Sequence, residues 1–229
     1  VLDELTGIDE QTPDGFDAVV HLSAIPAPGL ATNTATFQNN LISTYNVFTA
    51  AIKASITNIV TASSETVLGL PFDTPPPYIP VDEEYAARPE STYSLSKHLE
   101  EQMAIELTRW HPGLKIIALR FSNVMDEADY ETFGSFDADA TLRKWNLWGY
   151  TDGRDGAEAE RLALAHRATG FDLFIVPAAD TVMSRDNTEL VAECISGRPS
   201  QWRHRGNGPL LSIEKARTVL GFDQQHSWR

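Results

Sequence analysis

The sequence predicts an α/β fold, a parallel sheet with helices on both faces. Two observations carry this. Short, continuous apolar runs recur along the chain, and they alternate with amphipathic segments, two of them about 20 residues long. Strands that are apolar throughout are buried on both faces, and parallel strands need a crossover of helix length between them.

The elements follow in order. Phe16 to Ser23, "FDAVVHLS", comes after a Pro-Asp-Gly turn and reads as a buried strand. "AIPAPGL" is a loop. Thr34 to Ala54 carries Phe37, Leu41, Tyr45, Val47, Phe48 and Ala51 at mostly helical spacing. "ITNIVTAS", Ile56 to Ser63, is the second strand. Gly69 to Pro89 holds six prolines and reads as a long loop, a feature usually kept for function. Thr92 to Trp110 is a helix stopped by His111-Pro112-Gly113, and "LKIIALRF" from Leu114 is the third strand. Ser122 to Leu147 is irregular, with a short helix over "DADATLRKW", and "NLWGYTD" reads as extended. Arg154 to His166 is helical, Phe171 to Ala178 is a fourth strand, and Asn187 to Ile195 and Ser212 to Leu220 are short helices. This divides the chain into a core over residues 1–124 and a small lobe with the last core strands over 125–229. Sheets of this kind bind ligands at the carboxyl ends of their strands, where Ser63 and Ser64 stand.

Composition narrows the function. Lys plus Arg is 18 and Asp plus Glu is 32, a formal charge of −14, which argues against nucleic acid or an anionic membrane surface as the main partner. The single cysteine, Cys194, excludes an intramolecular disulfide and fits a reducing, cytoplasmic setting. No apolar run is long enough for a membrane span, and no signal peptide opens the chain. The first residue is Val1, and "VLDEL" reads like the middle of a helix, so the sequence is expected to begin partway into a protein.

In "STYSLSKHLEEQ" a tyrosine and a lysine lie four apart, Tyr93 and Lys97, on one face of a helix. An ammonium near a phenol favours the phenolate, and a phenol so tuned can exchange a proton with a hydroxyl or carbonyl near neutral pH. A hydroxyl at Ser64 is placed to hold the same oxygen. Together they polarise a carbon–oxygen bond while hydride leaves or reaches carbon. An isolated copy of this spacing is more often a surface tyrosine beside a solvated lysine.

The context is more specific. "FDAVVHLSA", the Asn in "NNLISTYNV", "TASSETVLG", "PVDEEYAARPESTYSLSK" and "LKIIALRFSNV" follow one another in this order and spacing. The chain thereby resembles the extended short-chain dehydrogenase/reductases, the NAD-dependent epimerase and dehydratase group, from about Phe16 to Val176. A family-like tail follows in "SIEKARTVLGFDQQHSW". The resemblance implies a Rossmann-like doubly wound sheet. It implies Tyr93 as catalytic acid/base, Lys97 as the residue that lowers its pKa and bonds the nicotinamide ribose, and Ser64, with Ser63 as alternative, as the catalytic hydroxyl. Asn40 matches the Asn that props the active-site helix. His21, Leu22, Ser23 and Ala24 match the turn against the cofactor, NAD first and NADP second, with Ala62 and Ser63 also beside it. No metal is implied. The sequence departs from the pattern at Glu65 and Leu68, where the family has a small residue and an aromatic. Glu65 is either a substrate contact or a solvated carboxylate.

The resemblance also implies a glycine-rich phosphate turn after the family's first strand. Gly149, Gly153 and Gly156 have the wrong spacing for it, and Asp152 and Asp155 would repel a pyrophosphate. Roughly 55 to 60 residues holding three strands are therefore expected before Phe16, and without them the strand Asp17 to Leu22 is an apolar sheet edge.

The substrate segment after "RFSNV" is short for a nucleotide pocket and is similar to that of uronate dehydrogenases, with Arg143 and Trp148 matching an Arg and a Trp five residues on. A guanidinium fork suits a carboxylate. Arg143 is otherwise a surface helix residue, and Trp145 and Trp148 are either a wall for a sugar face or core. Ser122 and Asn123 are further substrate candidates. The resulting expectation is an oxidoreductase on a sugar or sugar acid. The alternatives are a (nucleotide-)sugar epimerase or dehydratase, a non-catalytic cofactor sensor and an inactive truncated remnant. A homodimer through the two long helices is expected, with Leu99, Met103 and Leu107 as a candidate stripe.

Overall fold

A computed structural model describes residues 15–195, 201–202 and 206–229. The sheet has four strands: β1 (Val19–His21), β2 (Asn58–Ser64), β3 (Lys115–Phe121) and β4 (Gly170–Val176), adjacent in that order. β1 and β2 are parallel, with Val19 opposite Ile59 and His21 opposite Thr61. The architecture is a parallel, Rossmann-like α/β fold, as its patterning predicts. The chain divides into two compact units: Val1–Ser63 with Ser91–Leu119 and Ala163–Leu173, and Ser64–Glu90 with Arg120–Leu162 and Phe174–Arg229.

In the first unit, helices α1 (Asn33–Lys53) and α2 (Thr92–Trp110) join β1 to β2 and β2 to β3. The Thr32 hydroxyl caps α1 by accepting from Ala35 N at 3.3 Å. The helix stops where Ser55 turns left-handed at φ 61° and Ile56 N reaches back to Ala51 O at 2.9 Å. The α2 N-terminus is a reciprocal cap: Ser91 Oγ accepts from Ser94 N at 3.1 Å, and Ser94 Oγ accepts from Ser91 N at 2.8 Å. Phe48 and Ala51 of α1, Ala104 and Leu107 of α2, Ile59 of β2 and Ile116 of β3 form one core, with Met103 and Phe171 packed against it. Each large aliphatic or aromatic side chain buried here contributes roughly 1.5–3 kcal/mol. Leu107 and Met103 of the expected dimer stripe are thus spent on this core. The large apolar side chains that α1 and α2 turn outward are Ile42, Tyr45, Leu95, Ile105 and, at the end of α2, Trp110.

A buried lysine ends helix α3 (Gly153–Ala165): Lys115 Nζ donates to Ala163 O, Leu164 O and His166 O at 2.9, 3.0 and 2.8 Å. A cation there satisfies carbonyls that the helix leaves open and meets the negative end of its dipole. Burial pushes the Lys115 ammonium below its ordinary value.

In the second unit, Leu68, Phe72, Ile79, Val81, Phe133 and Trp148 are among the side chains of a separate core. The proline-rich loop is ordered on it. Tyr78–Ile79 pairs in parallel with Gln201–Trp202, Val81 bridges to Leu211, and Glu83 Oε1 accepts from Ile175 N at 2.8 Å. Helix α4 (Asn187–Cys194) starts under an Asp186 cap. Ser212 to Leu220 was expected as a helix; its last turn, Ala216–Leu220, is a wide π-turn.

The stretch "NLWGYTD" is not extended as a whole. Lys144–Asn146 is a 3₁₀ turn, and Leu147 and Trp148 follow in left-handed conformation at φ 54° and 57°. Strand pairing resumes only at Thr151–Asp152, parallel to Val124–Met125. The bulky side chains favour extended backbone, but the complete burial of Trp148, with Nε1 donating to Ala140 O at 2.8 Å, overrides that preference.

Candidate active site

Two groups of polar side chains are built within the units, one in each. The first lies where β1 and β2 end and α2 begins. His21, last residue of β1, is buried, with Nε2 at 2.9 Å from Thr44 Oγ1. Burial, aided by the Lys97 charge, lowers its pKa to about 4, so the ring is neutral at pH 7. Beyond it Leu22 and Ser23 open outward, Leu22 with 56% of its surface exposed. The wholly buried Asn40 of α1 fixes the loop that follows: Oδ1 accepts from Ile25 N at 2.7 Å and Nδ2 donates to Ile25 O at 3.1 Å. The resemblance led to the expectation that Asn40 supports the active-site helix; both ends of its amide are committed to this loop instead.

Tyr93 stands in the first turn of α2 and Lys97 one turn on, both buried. Lys97 Nζ donates to Ala62 O at 2.9 Å and to Glu100 Oε2 at 3.0 Å. Ser63 Oγ donates to Glu101 Oε1 at 2.6 Å, so its hydroxyl ties β2 to α2. The sequence did not single out Thr44, Glu100 or Glu101. A Glu-Glu pair on a helix normally marks a solvated face, and here both carboxylates are at most 4% exposed.

The second group is in the other unit. Ser64 ends β2 and caps the 3₁₀ turn Glu65–Leu68, its Oγ accepting from Thr66 N at 3.2 Å and Thr66 Oγ1 at 3.0 Å. Glu65 is buried, with Oε2 accepting from Ser122 Oγ and Oε1 from Asn146 Nδ2 at 3.2 Å. Burial pushes its pKa up to about 7 against the pull of Ser122, Asn146, the Arg143 charge and the Asn123 backbone. Arg143, expected on a helix surface if not in the site, is buried. It donates from Nη2 to Gly149 O at 3.0 Å and lies over the rings of Trp145 and Phe136 at 5.2 and 5.5 Å. Among the described residues its Nε and the Asn146 Oδ1 have no hydrogen-bond partner. Buried polar atoms are rarely left unsatisfied, so a group of this kind is built to receive a ligand or water. Gly149 permits it: a Cβ there would stand 2.9 Å from Ser122 Oγ. Trp145 is therefore the indole beside the guanidinium, and Trp148 lies in the core.

One further cluster combines metal-ligating chemistry, Asp152, Asp155 and His226. Its carboxylates are engaged by protein groups: Asp152 by the Arg154 fork and Tyr130 OH, Asp155 by His226 Nδ1 at 2.8 Å and the backbone N of Gln225 and His226.

Comparison with known proteins matches residues 3–149 to the model of the NAD dependent epimerase/dehydratase family. UDP-glucose 4-epimerase of Caenorhabditis elegans is 30% identical over 112 residues, 47% of this chain and 31% of that protein. L-arabinose 1-dehydrogenase (NAD(P)(+)) of Haloferax volcanii is 34% identical over 115 residues, 47% of this chain and 44% of that protein. The match therefore spans less than half the length of either relative. A short-chain dehydrogenase/reductase superfamily protein of Agrobacterium tumefaciens, solved with bound NAD, shares the fold at a TM-score of 0.68 and 24% identity, covering 96% of this chain and 79% of that one. Among the described residues, no helix is long and apolar enough to cross a membrane.

Proposed function

The chain belongs to the NAD dependent epimerase/dehydratase family, and on that premise we propose that it serves as an NAD(P)-linked oxidoreductase of a sugar or sugar acid. Both the family and the chemistry of the residues support a nicotinamide cofactor. Lys97 has three donors, of which the described residues take two, which leaves one N–H for a ribose hydroxyl. The open turn His21–Ala24, with Ala62, Ser63 and Asn40 behind it, would carry the nicotinamide end. When bound, the cofactor accepts hydride from a carbinol carbon or returns it.

The remaining work falls to side chains. Tyr93 takes the carbinol proton at its phenolate oxygen, or gives it back. The Lys97 ammonium, one helical turn on, favours the phenolate. Ser64, following the family resemblance, donates a hydrogen bond to the same substrate oxygen. Glu65, Ser122, Asn123, Arg143 and Asn146 hold the rest of the substrate.

The observation that carries the sugar-acid choice is the buried guanidinium of Arg143 with an uncommitted Nε, beside a carboxyl that is half protonated near neutrality. With Glu65 neutral, Arg143 keeps its full charge for a carboxylate. Each charged hydrogen bond of such a fork is worth roughly 1.5–3 kcal/mol. The test is a panel of aldoses, uronic acids and UDP-sugars with NAD and NADP. Arg143→Ala should raise KM for a uronic acid at least about tenfold and leave neutral sugars little changed, and Arg143→Lys should restore only part. Turnover of UDP-sugars alone, indifferent to Arg143, would overturn it.

The second reading, a sugar epimerase, is favoured by the similarity to UDP-glucose 4-epimerase. An epimerase returns hydride to the same carbon, so turnover without net cofactor reduction identifies it. The retention of Ser64, Tyr93 and Lys97 together weighs against a non-catalytic sensor, which needs no proton donor.

A further inference from the structure

The Lys97–Glu100 contact is a buried ion pair, with both side chains 4% exposed and Nζ to Oε2 at 3.0 Å. It lies on the face of α2 that carries Tyr93. Glu100 also has a buried oxygen, Oε1, without a hydrogen-bond partner among the described residues. A structural ion pair of this kind is costly, because desolvating two charges offsets most of their attraction. Lys97 does not need it to stay in place, since Ala62 O already accepts from it.

We propose that Glu100 is a positioning residue that acts through Lys97: it holds the ammonium by one oxygen, offsets part of its charge, and so sets the pH at which Tyr93 ionises. The inference rests on the assignment of Tyr93 and Lys97 as acid/base and its tuner. A lone ammonium close to the phenol stabilises phenolate strongly. An ammonium paired with a carboxylate stabilises it less, so Glu100 keeps the phenol protonated to higher pH and makes it a stronger base once ionised.

The groups that face the pair bear this out as a local device. On α2, Glu101 raises the Glu100 pKa and is itself tied to Ser63 of β2. On α1, the Thr44 hydroxyl faces the Glu100 carboxylate and meets His21 Nε2. On β1, His21 is neutral at pH 7 and adds no charge. Desolvation pushes Glu100 up and Lys97 pulls it down. Lys97, Glu100 and Glu101 are thus the charged groups that these contacts bring together.

The readout is tyrosinate absorbance during alkaline titration of the full chain, with the Tyr93→Phe spectrum subtracted to isolate Tyr93. Glu100→Gln should move the Tyr93 midpoint down by about one pH unit, as expected for removing one nearby charge in a partly buried site. Glu100→Asp, which keeps the charge, should return it most of the way. Should Glu100→Gln lose the near-UV dichroism of the wild type, Glu100→Met supplies the same neutral reading at similar volume. A wild-type midpoint that rises in Lys97→Met but stays fixed in the neutral Glu100 variants overturns this role and leaves the Tyr93–Lys97 assignment standing. A midpoint near the ordinary value of about 10 in both wild type and Lys97→Met overturns both.

Discussion

Replacing Glu65 by Gln should make the protein more stable at alkaline pH, though the residue hydrogen-bonds on both oxygens. Glu65 is 2% exposed and its pKa stands at about 7 rather than 4.5. The sign follows from linkage. A carboxyl that binds its proton more tightly folded than unfolded stabilises the fold below the unfolded value, and that contribution is lost as pH rises through the folded value. The interval from 4.5 to about 7, at 1.36 kcal/mol per pH unit, corresponds to roughly 3 kcal/mol. Glutamine has nearly the same shape and never ionises. Its amide NH₂ has acceptors at hand in Ser122 Oγ and, after an amide turn, the unpartnered Asn146 Oδ1. Urea unfolding of the full chain followed by circular dichroism should give similar stabilities for the two proteins near pH 4. A gap in favour of Glu65→Gln should open between about pH 5 and 8 and level off near 3 kcal/mol. Two curves that stay parallel across this range would refute the reasoning, because they would mean Glu65 titrates alike in both states.

Tyr93→Phe should leave the fold intact and lower turnover on any accepted substrate by about 10²-fold or more, because only the proton-carrying oxygen is lost; near-wild-type turnover in steady-state assays would remove Tyr93 from the mechanism. Gly149→Ala places a methyl 2.9 Å from Ser122 Oγ and 3.3 Å from Asn146 O, so chemical denaturation should show a loss of about 1–3 kcal/mol with KM rising in parallel. The outward apolar side chains Ile42 and Tyr45 of α1 and Leu95 and Ile105 of α2 should bring two copies together. Light scattering at micromolar concentration should then give twice the chain mass, and Ile42→Asp should return it to the single-chain value.

The sheet was legible because "ITNIVTAS" and "LKIIALRF" are apolar on both faces, a pattern that leaves little choice of environment. Tyr93 and Lys97 were legible because a helix fixes the relation between positions four apart. Glu100 gave only the weak signal of a carboxylate three residues after a lysine, which reads equally as a solvated pair. Its burial depends on Thr44 and on the end of β1, which come from distant parts of the chain. Asn146 was hidden for a related reason. In "RKWNLW" the arginine and the tryptophans draw attention, yet the 3₁₀ turn and the left-handed pair put Asn146 on Glu65 and carry Trp148 into the core. Left-handed backbone at leucine and tryptophan runs against residue preference, so no local pattern announces it.

That pair of left-handed residues also constrains how this protein can diversify. A non-glycine residue in that conformation costs of order 1–2 kcal/mol, and a β-branched one costs more. The turn persists because the Trp148 side chain is wedged in place, and through it the Gly149 carbonyl faces Arg143 and Asn146. Drift at 147 and 148 is therefore penalised twice, once in backbone strain and once in lost packing. The residues at 143, 145 and 146 are free of the backbone penalty. New substrate preferences should arise by exchanging those three on a fixed loop, and a directed-evolution library confined to them should retain far more folded members than one that also randomises 147 and 148.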